Sequence, residues 1–215
     1  MIEFFFDCSS PWTYIAFRNL QSLAAELKES IIWRPVLVGG IFNSVNKGIY
    51  IAREDMNSPK NRYMLKDVQD SAREAGLSIV FPPRVFPVNS VKAMRGCLWM
   101  AQDAQAKSQY LPFVEATFAA YFSREEDISQ DGVLAALCRE VGIDAQAFLE
   151  GIARPDIKEQ LKANTDEAIR RGAFGSPTFF LDDDMYFGND RLPLLHAAVL
   201  RARSMGLTTP LAQKR

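Results

Sequence analysis

The chain has 215 residues, 48% hydrophobic and 24% charged, enough to bury a core in one domain with an insertion or in two small domains, and no run approaches the roughly 18 apolar residues of a membrane span. Twenty-five Lys and Arg against twenty-six Asp and Glu leave a net charge of −1, which argues against a nucleic-acid binder, where a basic stripe is expected. The cysteines, Cys8, Cys97 and Cys138, are odd in number and far apart, and His196 is the single histidine, so neither a disulfide framework, a CxxC pair nor a His-rich metal site is expected.

Ile2 to Asp7 is a strand-length apolar and aromatic run with Glu3 near its start, which predicts a strand rather than a basic secretory leader, and the scattered cysteines point to a reducing cytoplasm. Ser10 and Pro11 suit N-cap and N1 of a helix carrying Tyr14, Ile15, Phe17, Leu20 and Leu23, because a serine oxygen accepts from an orphan amide and proline has no N–H to satisfy. Ile31 to Val38 is a second strand running into Gly39-Gly40, and a crossover helix between two strands predicts a parallel βαβ unit.

From about Asn57 to Gly172 the pattern is helical. Helices are predicted from Ser58-Pro59 to Gly76, from Asn89 through Ala106, over Tyr110 to Phe122, over Ser129 to Val141, briefly after Asp144, and over Pro155 to Arg171, with Leu77 to Phe81 as a short strand signal. Phe113, Phe118 and Phe122 form a core stripe at helical spacing, and other aromatics of this block are expected to face a cleft. Pro177 to Asp182 and Met185 to Phe187 then read as a hairpin around Asp183 and Asp184, before a last helix over Leu192 to Ser204. A βαβ unit and a ββα unit assemble into one mixed sheet, so the predicted fold is α/β and thioredoxin-like, with residues 1–50 and 173–215 forming the sheet domain and 51–172 an all-helical insertion.

Four stretches of sequence carry a family resemblance. Phe6-Asp7-Cys8-Ser9-Ser10-Pro11-Trp12-Thr13-Tyr14, Gly39-Gly40-Ile41-Phe42, Gly175-Ser176-Pro177-Thr178-Phe179 and Phe187-Gly188-Asn189-Asp190-Arg191-Leu192, in this order, resemble the 2-hydroxychromene-2-carboxylate isomerases, which are related to kappa-class glutathione transferases and more distantly to DsbA-type oxidoreductases. The resemblance implies a glutathione-dependent isomerase interconverting 2-hydroxychromene-2-carboxylate and trans-o-hydroxybenzylidenepyruvate in naphthalene-type degradation, acting on a small aromatic carboxylate as a homodimer without nucleic acid or membrane partners.

Under that resemblance Ser10 is the catalytic residue, its hydroxyl donating to the sulfur of glutathione at a helix N-terminus that favours an anion. Thr13 stands where a second cysteine would be, which disfavours an intramolecular dithiol cycle. The backbone of Ser176 before a cis Pro177 is expected to pair with the tripeptide, while Asn189 and Asp190 receive the γ-glutamyl end, although Asp190 could equally be a helix cap. Asn46 is the expected asparagine beside the thiol, with Asn43 as a competitor. Cys8 is expected to be a buried strand-end thiol rather than a nucleophile, His196 a surface or packing residue, and Arg34, Lys60, Arg62 and Arg95 solvated charges, any of which could attract an anionic substrate. The same motifs allow a kappa-like transferase, and a disulfide oxidoreductase or a non-catalytic glutathione-binding protein are weaker alternatives.

Overall fold

The structure, a computed structural model, describes residues 1–55 and 57–205. The last ten residues of the expected 173–215 segment therefore lie outside the described residues. Strand β1 (Ile2–Phe6) leads into α1 (Pro11–Leu27) and back to β2 (Ile31–Pro35), and β1 pairs with β2 in parallel, Ile2 opposite Ile31. Strands β3 (Thr178–Leu181) and β4 (Asp184–Phe187) close the chain's second half before α10 (Leu192–Ser204). β3 runs antiparallel to both β1 and β4, so the sheet order is β2-β1-β3-β4 and the two halves meet at the central pair. This is the predicted βαβ and ββα assembly.

Between the halves lie α2 (Val38–Val45), α3 (Gly48–Glu54), α4 (Pro59–Glu74), α5 (Val91–Gln102), α6 (Tyr110–Phe122), α7 (Asp131–Glu140), α8 (Ala145–Ala153) and α9 (Pro155–Arg170). Their ends follow local chemistry. Ser58 and Asp144 cap α4 and α8 with side-chain acceptors, while Gly76, Gly142 and Gly172 take the positive φ that follows a helix end. The expected boundary between residues 50 and 51 falls inside α3. No helix among the described residues is long and apolar enough to cross a membrane.

Several predicted boundaries move. β2 stops at Pro35 rather than Val38: Val36 N–H still donates to the Phe6 carbonyl at 3.0 Å, but the following amides leave the sheet, Leu37 N–H donating to Thr165 Oγ1 at 3.1 Å and Val38 N–H to Asp7 Oδ2 at 2.8 Å. Gly39 and Gly40 then belong to α2, where a Cβ on Gly40 would stand 3.2 Å from the Thr165 methyl, so the glycine lets α2 approach α9. α5 ends at Gln102, four residues early, because Asp103 Oδ1 accepts the Gln105 and Ala106 amides and starts a new turn. Leu77 to Phe81 forms no strand; Val80 N–H reaches the Phe122 carbonyl, and the Phe81-Pro82 and Phe86-Pro87 peptides are cis. The hairpin turns one residue earlier than predicted, at Asp182 (φ 55°) and Asp183, with Asp184 already in β4.

One apolar core spans the sheet and the helical block. Phe4, Phe6 and Phe179 from the strands and Phe113, Phe118 and Phe122 from α6 are all fully buried in it. Tyr14 of α1 stacks on Phe118 with ring centres 4.9 Å apart and planes 3° from parallel, an offset contact that adds to the area buried. The helical block thereby holds α1, and with it residue 10, against the sheet.

Candidate active site

The N-terminus of α1 lies beside the loop that enters β3. Ser10 has extended backbone geometry (φ −107°, ψ 124°) and caps the helix, its Oγ accepting the Thr13 N–H at 3.3 Å, with Pro11 in the first turn. The same hydroxyl donates to the Ser176 carbonyl oxygen at 3.1 Å. Thr13 Oγ1 and Ser176 Oγ share a hydrogen bond of 2.9 Å, and Asp7 N–H donates to Ser176 Oγ at 3.2 Å. The Ser176-Pro177 peptide is cis, as expected from the sequence. Residues 7, 10, 13 and 176 are thus joined through direct bonds, with no cysteine at position 10 or 13.

A cleft of about 670 Å³ opens above this cluster, within the roughly 300 to 1,000 Å³ typical of small-molecule sites. One wall comes from the thioredoxin-like half, with Ser10, Trp12, Gly40, Gly175 and Ser176. The opposite wall comes from the helical block, with Met64, Phe81, Phe86, Val88 and Ser90. Phe81 and Phe86 meet edge to face at 5.2 Å, so aromatic residues of the block do face the cleft. Among the described residues that line it, Asp7 and Lys60 carry charge.

The other predicted site residues divide. Asn46 lines the cleft, its amide donating to the Phe174 carbonyl at 3.0 Å, whereas Asn43 does not line it and accepts from the Tyr50 hydroxyl at 2.9 Å. Pro177, Asn189 and Asp190 lie outside the lining. Gly188 N–H donates to the Pro177 carbonyl at 3.1 Å, which sets the 3₁₀ turn Asn189–Arg191 next to the proline. Gly188 has φ +100°, and a Cβ there would stand 2.6 Å from Asp190 Oδ1, so only glycine lets that carboxylate fold back over the turn. Asp190 pairs with Arg191 at 2.8 Å and Asn189 Oδ1 accepts from Asn19 of α1 at 2.9 Å.

Asp7 is a site residue to which sequence reasoning attached no role. Asp7 is 1% exposed; burial pushes its carboxyl pKa up, against the Val38 and Ser9 amides, which donate to it and pull the other way. An acidic residue closing an otherwise apolar strand was the available signal. Cys8 is fully buried, and burial and the neighbouring Cys97 thiol hold its pKa well above the ordinary thiol range, so it is no thiolate nucleophile. His196 bonds Glu26 on the surface at 3.1 Å, and Arg34 bonds Glu3 at 2.9 Å, away from the cleft.

Comparisons with known proteins agree with this fold. The chain is 27% identical over 205 residues to the 2-hydroxychromene-2-carboxylate isomerase of Sphingobium xenophagum, covering 93% of this chain and 97% of that protein. It is 30% identical over 226 residues to human glutathione S-transferase kappa 1, covering all of this chain and 96% of that protein. A solved 2-hydroxychromene-2-carboxylate isomerase superposes with a TM-score of 0.78 at 26% identity, over 97% of this chain and 99% of that one. These relatives are named as isomerases and a transferase. Residues 1–200 match the DSBA-like thioredoxin domain, and the chain belongs to that family.

Proposed function

We propose that the protein is a glutathione-dependent isomerase acting on 2-hydroxychromene-2-carboxylate or a closely similar aromatic carboxylate. The observation that carries this reading is the Ser10 hydroxyl at the N-terminus of α1, bonded to the Ser176 carbonyl and facing a cleft with an aromatic wall. The donor set fits the tripeptide. The helix end and the Ser10 hydroxyl favour a thiolate, the Ser176 backbone suits a peptide, and Asn46 and Lys60 offer donors along the cleft.

Glutathione held by Ser10, Ser176 and Asn46 would supply a thiolate nucleophile for the conjugated carbon of the substrate, the chemistry by which a rigid double bond becomes rotatable. Ser10 donates to the sulfur and disfavours its protonation. The Trp12, Phe81 and Phe86 side chains provide an apolar face for the aromatic ring and exclude water from it. Lys60 attracts the substrate carboxylate. Asn189 and Asp190, on the turn beside Pro177, receive the γ-glutamyl group at the rim. Three buried free cysteines suit a reducing cytoplasm.

A second reading, a kappa-like transferase, is favoured by the 30% identity to the human kappa protein. It differs in whether the adduct is released. Turnover of the chromene carboxylate and of a chloronitrobenzene, each with and without glutathione, separates the two. Glutathione-dependent isomerisation without net thiol consumption supports the isomerase, thiol consumption with the chloronitrobenzene alone supports the transferase, and activity with neither defeats both.

A further inference from the structure

A second pocket, of about 460 Å³, is lined by Asn89, Val91, Lys92 and Arg95 from the start of α5 and by Ser129 and Gln130 from the loop that leads into α7. Asn89 and Val91 also line the cleft, so the pocket adjoins the cleft's helical wall, but it holds neither Ser10, Ser176 nor Lys60. Its two charged lining residues are both cations.

Arg95 departs from the solvated charge expected from the sequence. The residue is half-buried, and its Nε–H is closed off from solvent with no hydrogen-bond partner among the described residues. A buried N–H on a charged group that finds no acceptor is costly, because water no longer solvates it and nothing in the protein replaces the water. Arg18 also has an unpartnered Nε, but its Nη2 is paired with Glu115 at 2.5 Å. Arg95 has no such carboxylate among the described residues.

The polar groups around Arg95 are donors, or acceptors already in use. Asn89 Oδ1 accepts the Val91 N–H at 3.1 Å, which leaves its NH₂ group to donate. Ser129 Oγ accepts from Gln130 Nε2 at 3.0 Å, which leaves its O–H. Lys92 Nζ pairs with Asp131 at 2.7 Å, using one of three protons. Two acids touch lining residues, Asp131 and Asp127, and neither is part of the lining. Asp127 is taken up by the Ser129 N–H at 3.0 Å and Gln130 Nε2 at 2.9 Å. Donors without acceptors, around a guanidinium whose planar fork matches carboxylate and phosphate oxygens, select an oxyanion.

We propose that this pocket binds a small organic oxyanion, a carboxylate or a phosphate ester, whose charged head accepts from Arg95 Nε and lies beside Lys92. The volume falls in the range of small-molecule sites and exceeds what a bare anion fills, so the ligand carries a body that packs on Val91 and the aliphatic stems of Lys92 and Arg95. The site is separate from the cleft and goes beyond the isomerase reading.

The arginine Nε–Hε resonances of the full chain, recorded by ¹H–¹⁵N NMR, read the site directly. Glycerol 3-phosphate and succinate, titrated separately at constant ionic strength, serve as probes of the two head groups. At least one should shift the Arg95 Nε–Hε signal saturably, with half-saturation on the order of 1 mM, and the tighter of the two identifies the preferred head group. Lys92→Gln, at a side chain 44% exposed, should weaken that probe by about fivefold. Arg95→Lys keeps the charge but removes the fork, and should weaken it by about tenfold or more, followed on the Ser129 and Gln130 amide signals. No saturable shift with either probe, the same shift with sodium chloride alone, or unchanged affinity in Arg95→Lys overturns the proposal. Turnover enters none of these readouts, so failure of the isomerase reading and failure of this site are told apart.

Discussion

The Ser10 hydroxyl donates to the Ser176 carbonyl oxygen at 3.1 Å, across 166 residues of sequence. Ser10 Oγ itself accepts the Thr13 N–H at 3.3 Å, so the single donor proton of Ser10 and one of its acceptor sites are used within the protein. For the hydroxyl to donate to a sulfur it must release the Ser176 carbonyl, and that carbonyl then becomes an acceptor for the N–H of an extended peptide. Under the proposed function, seating the thiol and pairing the peptide backbone are one exchange of hydrogen bonds.

Ser10→Ala removes a helix cap and the proposed donor to the sulfur together. The loss of the cap should cost about 1 kcal/mol of stability, measured by urea unfolding. Glutathione-dependent kcat/KM should fall by on the order of a hundredfold, as when one preorganised donor to a developing anion is removed. A fall below about threefold would leave Ser10 as a cap only.

Bound glutathione should titrate at a lower pH than the free thiol. The helix end and the Ser10 hydroxyl both favour the charged sulfur, so its pKa moves down. Ultraviolet thiolate absorbance followed against pH in wild type and Ser10→Ala gives the readout, with the variant relaxing toward the free value. Identical titration of bound and free thiol in wild type would rule out thiolate activation.

Asp190→Ala should weaken glutathione binding by about threefold or more while changing kcat less, because under the proposed function the residue meets the γ-glutamyl end and not the thiol. Its side chain is 72% exposed and already paired with Arg191, so a large effect is not expected. Unchanged glutathione affinity by titration calorimetry would leave Asp190 with its Arg191 contact alone.

Glu3 provides a pH-dependent contribution to stability on the outer face of the sheet. Burial alone would raise its carboxyl pKa, but the Arg171 bond at 2.6 Å and the Arg34 bond at 2.9 Å outweigh it and hold the value below the ordinary range. A lowered folded-state pKa stabilises above the unfolded value, and the contribution is lost as pH falls through the folded one. Arg34 is 38% exposed, so screening reduces its share; Glu3→Gln should cost about 1 kcal/mol at neutral pH. The difference between variant and wild type should vanish in denaturant titrations run below the lowered pKa, and a difference independent of pH would contradict this account.

Much of the fold was legible because it depends on neighbours in sequence. Ser10 before Pro11 specifies a helix start, Gly76, Gly142 and Gly172 specify helix ends, and the order of strand and helix patterns specifies a sheet built from two halves. The motifs around residues 10, 39, 176 and 188 carried the family resemblance for the same reason: each is a short run. What depended on distant partners could not be read this way. The end of β2 is set by Thr165 and Asp7 capturing the Leu37 and Val38 amides, and nothing in Leu37 or Val38 announces it. The choice between Asn46 and Asn43 as cleft residue rests on the Phe174 carbonyl and the Tyr50 hydroxyl. Asp7 looked like the end of a strand, and only the packed molecule, by bringing Ser9, Val38 and Ser176 within reach of one buried residue, makes it the junction of the site. Hydrogen bonds are short and directional, so residue types at fixed spacing determine local shape, while the pairing of groups far apart in sequence is decided where the core brings them together.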